Sequence, residues 1–174
     1  ANDTALQAMY PPKVMEIYTN DTLVRVENNS SQFGLQINIR NIPLSKSYLL
    51  LSTAVGNYAI KTSLDSTNNV PPRYTYKKKF GTKKIAGLKS KKLLVYHELF
   101  KEPMVCYYNK KISPKFFVGF ENLPGLPVEF YIPTEDVVYK YTLKSIEWDP
   151  TNPDLYGIPS DFKKITMDEF VDLM

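Results

Sequence analysis

Thirteen prolines are spread along this chain of 174 residues, and they cap the length of any regular element it can form. Proline has no amide proton to donate and a fixed φ, so it ends helices and is confined to strand edges, strand starts and turns. Pairs stand at Pro11-Pro12 and Pro71-Pro72. Single prolines follow at 43, 103, 114, 124, 127 and 133, and three more (150, 153 and 159) lie close to the end. The segments between them are rich in Tyr (13) and Phe (9), whereas alanine, the best helix former, occurs six times. Aromatic and β-branched residues favour pleated, half-buried surfaces. Short strands joined by ordered loops are therefore expected.

The hydrophobic pattern agrees. In residues 33–40, Phe33, Leu35, Ile37 and Ile39 alternate with Gly34, Gln36, Asn38 and Arg40, a period of two that marks a strand with one buried and one wet face. Residues 48–55 form a continuous apolar run and 58–63 alternate again, with Gly56-Asn57 between them as a tight hairpin link. Further strand-like stretches fall at 14–18, 22–27, 93–100, 104–108, 115–120, 128–132 and 137–148. The expected fold is mainly β: an antiparallel sandwich or barrel of about 8–10 short strands. Residues 1–149 are read as one β-rich domain. Residues 150–174 are read as a proline-rich tail packed on it, ending in a short helix that Thr166 and Glu169 announce as a capping box.

Catalytic chemistry is hard to assemble from these residues. His97 and Cys106 are the sole histidine and cysteine. A thiol nucleophile needs an imidazole in hydrogen-bond reach and a third group to orient it, and Cys106 sits in the apolar run 104–108, where a free cysteine behaves as a small hydrophobe. Zinc sites draw four ligands mainly from Cys and His. Asp149, Asp154 and Asp161 are too widely spaced and proline-interrupted for a calcium loop. No glycine-rich phosphate loop, nucleophile elbow or His-Glu-x-x-His pattern occurs. No catalytic residue, metal ligand or cofactor is assigned, and a non-enzymatic role is expected.

One feature stands above this background. Residues 73–92 carry nine basic side chains and no acid: Arg73, Lys77, Lys78, Lys79, Lys83, Lys84, Lys89, Lys91 and Lys92. The formal charge of the chain is +4, so the remainder, 13 basic against 18 acidic residues, is net −5. Concentrated positive charge attracts polyanions through its field and through counterion release. Tyr74, Tyr76, Phe80 and the nearby Tyr96 supply aromatic rings that can stack on single-stranded bases. Lysine acts as a point charge for phosphates, while base edges are read mainly by arginine and amide forks. The expectation is thus a binding module for a polyanion, nucleic acid foremost, without strong sequence preference.

Weighed against this are an exposed lysine-protected strand edge, an acidic protein or lipid surface as the partner, and a structural or interaction role. The last would be a virion component or host-binding domain that assembles, with itself or another protein, through tyrosine-rich strands. Glycosylation sequons at Asn2, Asn20, Asn28 and Asn29 matter only on a secretory route. The first residues lack a basic-then-apolar leader, and a single cysteine precludes an intrachain disulfide; together these favour an intracellular or virion location. No apolar run approaches the ~20 residues of a membrane-spanning helix.

Overall fold

A computed structural model describes residues 14–30, 33–63 and 74–174. The expectation of a mainly β chain holds: among the described residues eleven strands form two sheets, a short helix follows the last strand, and neither sheet closes into a barrel. Two compact units divide the chain. One contains β1 (Met15–Thr19), β2 (Leu23–Ser30), β3 (Gly34–Asn41), β4 (Lys46–Thr53), β5 (Gly56–Ser63), β11 (Lys163–Thr166) and the helix α1 (Met167–Leu173). The other contains β6 (Thr75–Ile85), β7 (Leu88–Tyr96), β8 (Met104–Asn109), β9 (Leu126–Pro133) and β10 (Val138–Thr142). Asn2 and Arg73 lie outside the described residues, whereas Asn20 is exposed in the turn after β1 and Asn28 and Asn29 lie in β2.

In the first unit β1 to β5 form an antiparallel meander, and β11 adds in parallel beside β5. The continuous apolar run around β4 has a physical reason. Leu51, Tyr58, Ile60 and Ile165 form one cluster with Phe170 of α1, while Ile39, Leu50 and Ala59 form another against Ile158 and Phe162. Alternate residues of β4 and β5 thus enter different clusters, and both faces of these strands are apolar because residues from the C-terminal segment pack into each. The hairpin forms as expected, but its link is Ala54-Val55, since Thr53 pairs with Gly56. The Thr53 hydroxyl accepts from the Val55 N–H (3.3 Å) and donates to the Gly56 carbonyl (3.0 Å), which fixes the turn two residues earlier.

The capping box closes at both ends. Thr166 Oγ1 accepts from the Glu169 N–H (3.1 Å), and a Glu169 carboxylate oxygen accepts from the Thr166 N–H (2.7 Å). A seven-residue helix is marginal alone; here Phe170 is buried with its ring edge-on to Tyr58, 6.0 Å between centroids.

The second unit is a wholly antiparallel sheet in the order β10-β9-β8-β7-β6, which leaves β6 and β10 as edges. Its core is built from Leu93, Val95, Cys106, Tyr108, Phe120, Leu123 and Phe130. Two sequence expectations shift. Residues 115–120 are not a strand: Ser113 caps a 3-10 turn with Pro114 in its first position, and Phe116 and Phe120 are thrown into the interior. The strand expected over 137–148 stops at Thr142, with one last backbone bond from the Leu143 N–H to the Val128 carbonyl (2.8 Å). Beyond it the chain runs irregularly to Trp148.

Removing the Thr166 hydroxyl (Thr166→Ala) is expected to cost about 1 kcal/mol, and Phe170→Ala about 3 kcal/mol. Urea unfolding followed by far-ultraviolet circular dichroism checks both; a neutral Phe170→Ala would mean that the helix is not anchored.

Candidate functional site

The basic segment becomes the β6–β7 hairpin. Its two-residue link, Ala86-Gly87, has both residues left-handed (φ 48° and 78°), the geometry that matches strand twist. Alanine rarely adopts that conformation. Ile85 and Leu88 pair across the link, and Ile85 is buried beside it.

Directly opposite residues of an antiparallel pair point to the same side, and side chains alternate along each strand. The register therefore sorts the lysines. Lys78 pairs with Leu93, Lys84 with Lys89, and Lys91 with both Thr82 and Tyr108. These four lysines share the face that carries the core residues Leu93 and Val95. Lys77, Lys83 and Lys92 take the opposite face, since they pair with Leu94, Ser90 and Tyr107. Lys79 falls in a bulge: four steps of β6, Lys78 to Thr82, span two of β7, Leu93 to Lys91. Gly81 sits there with φ 135°, and Phe80 projects fully into solvent. Of the aromatic candidates, Tyr74 is buried and stacked on Phe120 at 4.5 Å, and Tyr76 packs against the core. Tyr96 lies under the Lys77 ammonium, 5.7 Å from its centroid.

The second face holds one carboxylate of its own, engaged by two of its lysines. Glu129 is buried in its middle, and a buried carboxylate needs partners. The Lys83 ammonium reaches both its oxygens (3.2 and 3.3 Å) and Lys140 lies at 3.6 Å. Lys83 also covers the Tyr107 ring, and Lys140 covers Tyr131.

The first face is different. Beyond Tyr108 its core residues give way to Lys91, Lys89 and Lys84, and a recess of about 550 Å³ opens there. Lys89, Lys91, Lys110, Lys111 and Trp148 line it, and no carboxylate does. Lys110 and Lys111 are held by the turn after β8. Buried Asn109 accepts from the Lys111 N–H through Oδ1 (2.9 Å) and donates through Nδ2 to the Lys89 carbonyl (3.5 Å). Gly125 presses on this turn so closely that a β-carbon there would collide with the Asn109 carbonyl oxygen. Trp148 keeps 68% of its surface exposed. Sequence reasoning missed Lys110, Lys111 and Trp148 because they lie 18 or more positions beyond the basic segment; the turn motif Asn109-Lys110-Lys111 was the available signal.

Cys106 and His97 do not form a nucleophile pair. Cys106 faces the core opposite Leu93, and burial pushes its thiol up to about 12. His97 Nδ1 accepts from the Leu99 N–H (3.1 Å), and partial desolvation lowers its pKa. Its ring lies against Tyr74 (4.8 Å between centroids), whose phenol burial raises to about 12. Among the described residues, no group of three or more His, Cys, Asp and Glu side chains could hold a metal ion, and no helix is long and apolar enough to cross a membrane.

Compared with protein families, with curated proteins and with solved structures, the chain matches none.

The buried protons make alkali destabilising. Unfolded, the thiol ionises near 9 and the phenol near 10; folded, both hold their protons to about 12. Between these limits the unfolded chain binds fewer protons, so stability falls as pH rises through that window. Urea unfolding is expected to give about 3 kcal/mol less at about pH 10.5 than at about pH 8. Cys106 is expected to resist a thiol reagent at about pH 8 until the chain is unfolded; rapid labelling of the folded protein would contradict its placement.

Proposed function

We propose that the β6–β10 unit is a non-catalytic module that binds polyanions, nucleic acid foremost, through the lysine recess, sensing phosphate charge without strong sequence preference. The observation that carries this reading is the set of four lysines around one recess with no lining carboxylate. Two features add support. Lys84 and Lys89 stand directly opposite each other, and like charges so placed destabilise a sheet, a cost that a bound anion relieves. The recess-lining cations are all lysines, which suit phosphates better than base edges. Assembly through tyrosine-rich strands draws less support, because Tyr96, Tyr107 and Tyr131 already lie beneath the protein's own ammonium groups.

Binding to a generic oligonucleotide across a salt series tests the proposal. Four neutralised phosphates give a slope of log K on log salt of roughly −3 to −4. The double variant Lys110→Ala/Lys111→Ala is expected to flatten it by about 1.5, while Lys77→Ala/Lys92→Ala on the opposite face leaves it unchanged. No binding at low salt, or dominance of the second pair, would sink the reading.

A further inference from the structure

We propose that the recess is a single-strand site, in which one unpaired base stacks on Trp148 while neighbouring phosphates meet Lys89, Lys91, Lys110 and Lys111; this rests on the polyanion reading above. The starting point is the tryptophan. Its large apolar surface normally goes to a core or an interface, yet Trp148 leaves two thirds of it in water at the rim of a basic recess. Pockets of about 300–1,000 Å³ hold drug-sized ligands, a class that includes one nucleotide, and this recess measures about 550 Å³.

The neighbours favour a nucleotide over a bare phosphate chain. Phosphate alone would be served by the four ammonium groups and would gain nothing from an indole. A base has a π-face whatever its identity, so stacking adds affinity without sequence preference. In a duplex both faces of every internal base are covered by its neighbours, and only the phosphates remain accessible to the recess. The platform is also held in place on its cationic side. The Lys110-Lys111 turn is fixed by the buried Asn109 side chain and by Gly125 against its backbone, so the backbone from which these two lysines project stays in place beside Lys89. Of the aromatics in and beside the basic segment, Tyr74 is buried, Tyr76 packs on the core and Tyr96 is capped by Lys77, while Phe80 is fully exposed in the bulge and does not line the recess.

Trp148 is the only tryptophan, so its emission reports on the recess directly. The protein is titrated with an oligothymidylate, with the same strand annealed to oligoadenylate, and with inorganic polyphosphate. Binding is read independently by anisotropy of the labelled nucleic acids and by competition for polyphosphate. The single strand is expected to quench Trp148 strongly and to bind about tenfold more tightly than the duplex, with polyphosphate binding but barely quenching. Trp148→Ala is expected to lose that tenfold preference while keeping polyphosphate affinity, and Trp148→Phe to retain part of it. Single-strand binding that leaves the emission unchanged, or a Trp148→Ala protein that still prefers single strands, would overturn base stacking and leave the polyanion reading standing. Failure of all three probes to bind at low salt would overturn both.

Discussion

The antiparallel register of β6 against β7 decides where the lysines of the basic segment go. Two left-handed residues, Ala86 and Gly87, set that register at one end, and the bulge around Phe80 absorbs two extra residues without reversing which side each later side chain takes. Alternation then divides a run that looks uniform in sequence into two unlike surfaces. On one, Lys83 is committed to Glu129 and to the Tyr107 ring. On the other, Lys84, Lys89 and Lys91 extend past the last core side chains toward solvent, where no carboxylate lines the recess. Similar positive charge thus has different consequences on the two sides, because only one side contains its own counterion.

The β8 turn completes the second surface. Its backbone is packed against Gly125 too tightly for any side chain there, and the Asn109 amide ties it to the Lys89 carbonyl. Four ammonium groups are brought together by strand pairing and one buried amide. Their mutual repulsion is part of the folded state's cost, and the proposed binding of an anion would relieve it. A cation cluster of this kind binds through charge and gains directional information only from a group such as Trp148 that prefers a particular ligand face.

The strand at residues 33–40, the proline-bounded segment lengths, the β4–β5 hairpin and the capping box at Thr166 were legible because each is a local signal, carried by neighbours within a few positions; the division of that strand into a buried and a wet face was not, since Arg40 is buried and Leu35 is half exposed. The double-sided apolar character of β4 was visible as a run, but its cause was not, since Ile158, Phe162 and Phe170 arrive from a distant segment. The same limit explains the site. The density of lysines at 73–92 drew attention to the right hairpin, yet charge counts carry no information about facing. The bulge at Lys79, Phe80 and Gly81 has no marker beyond a single glycine. Lys110 and Lys111 join Lys89 through the β7–β8 pairing and the Asn109 turn, and Trp148 comes from beyond the irregular end of β10, where the expected strand gives out.

In the proposed reading one face of the hairpin meets a polyanion and the other does not. Lysine acylation read by mass spectrometry, with and without saturating oligonucleotide, addresses it most directly, because every ammonium group reports at once on the unmodified protein. Protection confined to Lys89, Lys91, Lys110 and Lys111, with Lys77 and Lys92 reacting as freely as before, is the expected result. Protection centred on Lys77 and Lys92, or spread evenly over both faces, would contradict it.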